Sequence, residues 1–404
     1  MSTSLLYHGF GLRGYRHVHT KFPDGAIHFR VQQDGFALRC PECGSYQVKR
    51  RGLVMRRFRT LPIGSKPVWI EMPVQRVLCL LCGILRQVKV NFAFWRRSYT
   101  RAFARYALEL ARHMTIKDVA RHLGVSWDVI KDIQKHYLQK RFARPKLHKL
   151  KQIAIDEISI CKGHRHLTIV LDLKSGAVVF VGDGKGGDAL EPFWQRLRRS
   201  GATIEAVATE KSPAYISAVM EYLPGAVHVF DHFHIIKLYN EGLSDLRRKL
   251  YHEATNVMHQ KVLKGTRWLL LKNPGNLDKS RNEQQRLTAA LELNQPLALA
   301  YYMKEDLRQL WMQTDKATAA YVLQDWVDRA WASGIPMLIK FAKTLALYRR
   351  GILAYYDYPI STGPLEGTNN KIKTMKRQAY GFRDREFFKL KILALHETRY
   401  ALVG

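Results

Sequence analysis

The spacing of apolar residues changes along the chain and divides it into three zones. Residues 1 to about 100 contain short β-prone runs separated by Pro and Gly, a pattern typical of strands joined by turns. From about 101 to 145 the apolar positions follow the helical period, as in Ala102, Tyr106 and Leu110. The basic stretch 141–151 contains Pro145 and predicts a linker to the third zone.

The third zone begins with three β-prone runs, of which the second and third are joined by a tight Lys174-Ser175-Gly176 turn. Helices and short strands then alternate, so the predicted order is βββαβαβα, which is that of ribonuclease-H-like proteins. The predicted strands are 152–160, 166–173, 177–182, 204–209 and 227–230. The predicted helices are 188–199, 213–222, 364–378 and 384–401, and residues 235–358 have a helical pattern.

Composition adds a strong positive charge to this picture. The 404 residues include 66 Lys+Arg and 34 Asp+Glu, a formal net charge of +32, and 47% of them are hydrophobic. This hydrophobic fraction excludes a disordered tail, and the charge indicates a polyanionic partner, either nucleic acid or, as second choice, an anionic membrane surface. The apolar run 77–85 is too short to span a bilayer, and residues 1–8 lack a secretory pattern. We therefore expect a cytoplasmic, nucleoid-associated protein that binds no membrane.

Four of the five cysteines form two Cys-x-x-Cys pairs, Cys40 with Cys43 and Cys79 with Cys82. Each pair suits a turn that directs two thiolates at one ion, and two such turns complete a tetrahedral Zn²⁺ site if a hairpin brings them together. A redox pair is the alternative, but it needs only one copy and βαβ surroundings that the sequence does not predict. The sequence thus predicts a structural zinc with all four ligand positions filled.

A basic run lies between the cysteine pairs, on the predicted hairpin. It consists of Lys49, Arg50, Arg51, Arg56, Arg57 and Arg59. We expect these side chains to contact DNA phosphates, with Arg50, Arg51, Arg56 and Arg57 as the main candidates. The alternative is a solvated basic face without a partner.

Residues 116–133 have the spacing of a helix-turn-helix. Val119 and Leu123 form the inner stripe of the first helix, and Gly124 permits the turn. Ser126 is a candidate N-cap of the second helix, whose outer face would contact DNA through Ser126, Trp127 and Lys131. An ordinary helical hairpin is the alternative, and the charge of the chain favours DNA binding.

Three acidic residues occupy the fold positions at which ribonuclease-H-like nucleases hold their metal ligands. Asp156 lies within the first apolar strand of the third zone, Glu210 ends the fourth strand, and Glu366 begins a late helix. An acid on a buried strand is costly unless it binds a cation or a hydrogen-bond donor, although any single acid is more often a solvated surface group. A stripe that suits a DNA backbone follows Glu366 along one face of its helix, and it consists of Asn370, Lys373 and Arg377.

Across nearly its whole length the chain resembles the DDE transposases of bacterial insertion sequences, specifically the ISL-three family. The resemblance rests on the cysteine pairs, the helix-turn-helix, the Ile155-Asp156-Glu157 strand and the Phe230-Asp231-His232-Phe233-His234 block. Its most specific parts are residues 363–373 and Lys376-Arg377-Gln378-Ala379-Tyr380-Gly381.

The resemblance implies an enzyme that binds terminal inverted repeats as double-stranded DNA and catalyses strand cleavage and strand transfer into target DNA. It implies that Asp156, Glu210 and Glu366 hold catalytic Mg²⁺, or Mn²⁺ in its place, and that a homodimer or higher oligomer assembles on DNA. Asp231 and His234 resemble the accessory pair of the family, and a buried histidine paired with a carboxylate is the alternative for His234.

One position departs from the family's pattern. The second ligand is usually an Asp in a short Asp-x-Ser-Pro context, whereas this chain has Glu210-Lys211-Ser212-Pro213. The extra methylene could displace one metal by roughly an ångström, and Mg²⁺ demands near-ideal octahedral geometry. This departure keeps a second function open, that of a catalytically impaired DNA-binding protein or repressor acting on the same repeats. A nuclease that cuts without joining is a third alternative, which only a strand-transfer assay separates from the transposase.

Together these patterns predict a multidomain α+β protein with a four-cysteine zinc module, a helix-turn-helix, and a ribonuclease-H-like α/β catalytic core with a large helical insertion. We place the zinc-binding, DNA-binding module at 1–100, the helix-turn-helix and its linker at 101–150, and the catalytic domain at 151–404. The insertion interrupts the catalytic domain at about 236–358. Within it Arg267 and Trp268 could stack on a displaced base, although a tryptophan is more often part of the core.

Overall fold

A computed structural model of the chain describes residues 5–33, 38–161, 165–209 and 213–396. Glu210, with Lys211 and Ser212, lies outside the described residues. The chain forms two compact units. The first contains the described parts of Met1–Ala143 together with Thr374–Ala394, and the second contains Arg144–Lys373 with a short C-terminal piece. The sequence did not predict that residues 374–394 would group with the N-terminal unit.

The N-terminal unit is built on a five-stranded sheet. After helix α1 (Leu5–Phe10), its strands are β1 (Tyr15–Lys21), β2 (Ile27–Gln33), β3 (Val48–Ile63), β4 (Lys66–Cys79) and β5 (Leu85–Gln87). β3 and β4 form the long hairpin that the zinc prediction required, and β2 lies parallel to β4 on its other side. Alternate residues of β4 such as Val68, Ile70 and Met72 are fully buried, because successive side chains point to opposite faces of a strand.

Three helices follow the sheet: α2 (Arg101–Leu110), α3 (Ile116–Leu123) and α4 (Trp127–Phe142). α3 and α4 form the predicted helix-turn-helix. Gly124 ends α3 with a φ of 61°, a left-handed conformation that glycine adopts without steric cost. Val119, Leu123, Ile130 and Ile133 are buried between the helices, as the spacing predicted.

The second unit contains a mixed five-stranded sheet. Its strands are β6 (Gln152–Cys161), β7 (Arg165–Asp172), β8 (Val178–Asp183), β9 (Ala206–Thr209) and β10 (Val227–Phe230), with helices α5 (Glu191–Ser200) and α6 (Pro213–Tyr222) between the later strands. The spatial order is β10-β9-β6-β7-β8, with β7 antiparallel to β6 and β8. This mixed α/β arrangement matches the predicted ribonuclease-H-like core. β6, β8, β9 and β10 run in one direction, so their carboxyl ends share one edge, which we name the carboxyl edge.

The helical insertion lies between β10 and the late helix α14 (Gly363–Gln378). Its helices are α7 (His232–Glu253), α8 (Val257–Leu263), α9 (Arg267–Leu271), α10 (Glu283–Glu292), α11 (Gln295–Gln309), α12 (Lys316–Ala332) and α13 (Pro336–Leu353). Tyr239, Trp326 and Phe341 pack edge to face in its core, with ring centroids 4.9–5.9 Å apart. The alternative that Trp268 is a core residue is excluded: it is 65% exposed, because α9 buries Leu269 and Leu270 instead. Stacking of Arg267 and Trp268 on a displaced base stays a prediction.

The last helix, α15 (Arg385–Ala394), packs on α4 within the N-terminal unit. Phe387 and Leu390 contact Leu138 and Phe142 in one small apolar cluster. Among the residues that the structure describes, no helix is both long and apolar enough to cross a membrane.

Candidate metal centres and nucleic-acid interface

Four thiols meet at the open end of the β3–β4 hairpin. Cys40 Sγ lies 3.6 Å from Cys82 Sγ, Cys43 Sγ lies 3.6 Å from Cys79 Sγ, and all four atoms lie within 4.8 Å of one another. Tetrahedral zinc with Zn–S bonds of about 2.3 Å requires about 3.8 Å between sulfurs, so the four cysteines fit this ion.

Backbone amides favour the thiolate form at two of these cysteines. A hydrogen bond from the Cys43 amide lowers the pKa of Cys40 to about 6, and the Cys82 amide lowers the pKa of Cys79 in the same way. Backbone amides act in the same way on Cys43 and Cys82, but burial and the neighbouring thiols outweigh them and raise both pKa values. Each turn therefore favours one thiolate, the form that binds zinc. The zinc site of the N-terminal module is thereby supported by its donor set and its local geometry.

The basic residues of the hairpin divide into exposed and buried members. Arg50, Arg51 and Arg57 are exposed, and Arg56 is half-buried with a hydrogen bond of 2.8 Å to the carbonyl of Arg97. The expectation that Arg59 meets phosphate is wrong, because Arg59 is 4% exposed. Its guanidinium donates to the carbonyls of Val68 at 3.0 Å and Leu123 at 2.9 Å, and so joins the sheet to the end of α3.

The recognition helix α4 presents its first turn to solvent. Ser126 occupies the N-cap position without a side-chain capping hydrogen bond, and Trp127 is 52% exposed. Lys131 is less accessible: its ammonium lies 3.1 Å from Asp384 Oδ2, and 26% of its side chain is exposed. Ser126 and Trp127 are therefore open to a DNA groove, whereas a DNA contact of Lys131, still a prediction, requires its ion pair to open.

Asp156 is held on β6 by two donors from different parts of the chain. It is 7% exposed, its Oδ1 accepts the Glu157 amide at 2.7 Å, and its Oδ2 accepts Asn369 Nδ2 at 2.8 Å. Asn369 Oδ1 is buried and has no hydrogen-bond partner among the described residues. A buried carboxylate beside an unpartnered carbonyl oxygen suits a hard cation such as Mg²⁺, which prefers oxygen ligands.

Asn369 was not selected from the sequence, which favoured its exposed neighbour Asn370. Glu366 precedes Asn369 by three residues on α14 and is exposed. Residues three apart lie on the same side of a helix, so Glu366 and Asn369 share a side of α14, and the hydrogen bond of Asn369 ties that helix to the strand that carries Asp156. The spacing of Asn369 from Glu366 was the signal that could have identified it.

Asp231 fastens the start of α7 to the start of α14. It is 2% exposed, its Oδ1 accepts the Phe233 amide at 2.9 Å as an N-cap, and its Oδ2 accepts the amide and the hydroxyl of Thr362, the amide at 2.8 Å. His234 is half-buried, with its ring edge-on to Phe233 at 5.8 Å. The accessory role of Asp231 and His234 stays a prediction, and Asp231 acts in the fold as a clamp.

The predicted stripe along α14 is accessible. Glu366, Asn370, Lys373 and Arg377 are all exposed, whereas Leu365, Ile372 and Met375 on the other side of the helix are at most 1% exposed. Three cationic or amide side chains thus follow Glu366 along one exposed face, as a DNA backbone would require.

Models of known families match three consecutive parts of the chain. A zinc-finger model of the transposases IS204/IS1001/IS1096/IS1165 matches residues 37–82. A helix-turn-helix model of transposase family ISL3 matches 88–138, and a DDE transposase model of the same family matches 153–392. The matches follow the order of the zinc module, the helix-turn-helix and the second unit.

Curated relatives extend this similarity to nearly the whole chain. The transposase for insertion sequence element IS1001 of Bordetella parapertussis is 32% identical over 95% of this chain and 96% of its own. The transposase for insertion sequence element IS1557 of Mycobacterium tuberculosis is 28% identical over 94% and 91%. The Drosophila P element transposase strand transfer complex aligns over 76% of this chain and 80% of that one with 14% identity; the TM-score of 0.26 is too low to indicate a shared fold. The chain therefore belongs to the ISL3 (ISL-three) family of insertion-sequence transposases, with its zinc ribbon, its helix-turn-helix and its DDE domain.

Proposed function

We propose that this transposase binds the terminal inverted repeats of its element, cleaves DNA at the element ends with Mg²⁺, and transfers the freed 3′ ends to target DNA. The observation that carries the proposal is the hydrogen bond between Asn369 and Asp156. It joins residues 213 positions apart and ties the helix that carries Glu366 to the strand that carries Asp156, which supports a shared site for these first and last acidic positions. Carboxylates from distant elements at one site are the arrangement that a metal-dependent phosphodiester reaction needs.

Asp156, Glu366 and the carboxylate of Glu210 would hold the metal. Two divalent ions there would activate the attacking oxygen and stabilise the leaving oxygen of the phosphodiester. Asn369 and Asp231 keep α14 in place, so that Glu366 does not have to be ordered when DNA binds. Lys373 and Arg377 would pair with phosphates of the DNA strand that passes along α14.

The N-terminal unit would recognise the repeats. The zinc site keeps the β3–β4 hairpin closed, and Arg50, Arg51 and Arg57 stand exposed on that hairpin to meet phosphates. The first turn of α4 would enter the major groove through Ser126 and Trp127. Because two element ends must be cut in concert, we propose that the chain works as a homodimer or higher oligomer on nucleoid DNA.

The sequence departure at Glu210 supports a second candidate. A longer side chain at a ligand position could leave one metal misplaced, and the chain would then bind the repeats without cutting them. In that case it would act as a DNA-binding protein or repressor on its own repeats.

The test is cleavage and strand transfer on duplexes that carry the element's own ends, with Mg²⁺, for the native chain, Glu210→Asp and Asp156→Ala. Activity of the native chain that is lost in Asp156→Ala supports the recombinase. Binding without cleavage, restored by Glu210→Asp, supports an enzyme disabled at one ligand. Specific binding with no cleavage in any of the three supports the repressor, and cleavage without strand transfer supports a nuclease.

A further inference from the structure

A glycine-rich segment leaves the sheet beside the proposed active site. We name Gly184-Lys185-Gly186-Gly187 the glycine loop; it follows β8, which runs parallel to β6 and therefore ends at the carboxyl edge. Gly184 and Gly186 have φ angles of 94° and 88°, which side-chain-bearing residues rarely adopt. The bare backbone of such a loop allows another chain or a ligand to approach closely.

Two buried hydroxyls anchor the glycine loop next to the strand that carries Asp156. Thr168 Oγ1 donates to the carbonyl of Gly184 at 3.1 Å, and Tyr215 Oη lies 3.3 Å from Thr168 Oγ1 and accepts the Gly186 amide at 3.5 Å. Thr168 is directly paired with Glu157 in the β6–β7 ladder, one residue after Asp156. Burial raises the pKa of Tyr215, and the charges of Glu157 and Asp156 raise it further, so its hydroxyl stays protonated.

Lys185 is the cation of this loop. It is exposed and forms no hydrogen bond or ion pair with any residue that the structure describes. The acidic residues of the proposed active site, Asp156 among them, repel a DNA phosphate unless cations offset them. A lysine on a bare, well-anchored backbone at this edge is placed to supply that charge.

We propose that the glycine loop binds a DNA phosphate beside the scissile bond, with Lys185 paired to its nonbridging oxygens. This inference rests on the proposed function and adds a substrate contact to it. Thr168 and Tyr215 are positioning residues that hold the loop, and they do not touch the phosphate themselves. The phosphate belongs either to the element end or to the target strand, since both pass through the site.

Lys174 provides a matched control for Lys185. It is an exposed lysine in the β7–β8 turn, at the opposite edge of the same sheet. Lys174→Ala and Lys185→Ala therefore remove the same charge from the same unit, and only the second removes it from the carboxyl edge. Lys185→Arg keeps the charge and should restore what Lys185→Ala loses.

The experiment measures binding of the full chain, with Ca²⁺ in place of Mg²⁺, to element-end and target duplexes that carry one neutral methylphosphonate at each position around the cut. In the native chain, one methylphosphonate should weaken binding about fivefold to tenfold. In Lys185→Ala, the slope of log K against log salt on unmodified duplexes should be smaller in magnitude by about 0.9 than in the native chain. For Lys185→Ala that same methylphosphonate should have no further effect. Tyr215→Phe should keep the position of the effect and reduce its size.

The outcomes separate the loop from the proposed function. Identical binding, salt slope and methylphosphonate pattern in Lys185→Ala and Lys174→Ala would overturn the assignment of the glycine loop. An effect confined to target duplexes supports the loop and assigns the phosphate to the target. If the native chain shows the Lys185-dependent effect but never cuts DNA with Mg²⁺, phosphate binding by the glycine loop is supported and the proposed catalysis is wrong. Absence of binding to either duplex overturns both.

Discussion

The hydrogen bond from Asn369 to Asp156 offers the sharpest test of the proposed active site. Asn369→Ala removes a donor 2.8 Å from the Oδ2 of a carboxylate that is 7% exposed. A hydrogen bond to a charged group contributes about 1.5–3 kcal/mol, and about 1.4 kcal/mol corresponds to a tenfold change in rate. If this energy holds Glu366 in register with Asp156 during the reaction, cleavage should slow by about 10- to 150-fold.

The assay is single-turnover cleavage of DNA that is already bound, so that a change in affinity does not enter the rate. Asn276→Ala makes the same side-chain change at an exposed site in the helical insertion and should cleave like the native chain. Asn369→Asp adds a second readout without catalysis. It places two carboxylates together, so thermal stability should fall without metal and recover with Mg²⁺ more steeply than in the native chain. A native cleavage rate in Asn369→Ala and a native Mg²⁺ response in Asn369→Asp would refute the reasoning.

Three further predictions concern the N-terminal unit. Chelation of zinc, or Cys40→Ser, should unfold the zinc ribbon and abolish repeat binding in a band-shift assay, because a structural zinc contributes about 10–16 kcal/mol to its fold. Arg59→Leu removes two hydrogen bonds to carbonyls of buried residues and should cost about 2–5 kcal/mol, seen as a lower melting temperature, whereas the exposed Arg57→Leu should stay within about 0.5 kcal/mol. Lys391 is 7% exposed, and burial lowers its pKa to about 8 from 10.5. The unfolded chain therefore binds the proton more strongly, and stability should rise between pH 8 and 10.5. Lys391→Met should raise the free energy of unfolding at pH 7 by an amount on the order of 3 kcal/mol, seen as a higher melting temperature, and this gain should shrink towards pH 10. An equal gain at both pH values would contradict the prediction.

Local patterns predicted most of the elements that build the two sheets. The helix at 213–222 and the strand at 227–230 were predicted with the bounds that the structure has. The β3–β4 hairpin followed from the need to bring two cysteine pairs to one ion, and the alternation of strands and helices in the second unit was predicted along the chain. Each element depends on the spacing of apolar residues within a short window, which a sequence displays directly.

Pairings between distant residues were not predictable in the same way. Arg59 belongs to a basic run, but its guanidinium lies against Phe103 of α2 and binds the carbonyl at the end of α3, so it is buried. Lys131 has the position of a groove-facing residue, but its ammonium forms an ion pair with Asp384 Oδ2, just before α15, at 3.1 Å. Composition and spacing identify neither the carbonyls that Arg59 binds nor Asp384, the partner of Lys131. The energy of a buried polar group depends on the residues that pack against it in the fold, and the sequence does not display these.

The two clamps on α14 explain how a large insertion can separate the acidic residues of one site. Asp231 stands immediately before α7 and Thr362 immediately before α14, and the hydrogen bonds between them join residues 131 positions apart. The insertion thus leaves and re-enters the core at one point, and changes within its helices need not be transmitted to α14. Nearly two turns into α14, Asn369 binds Asp156 and fixes the rotation of the helix as Thr362 fixes its start. A helix held at its start and in its rotation keeps its register with the sheet independently of the insertion, so the position of Glu366 in the proposed site depends on four side chains of the core: Asp156, Asp231, Thr362 and Asn369.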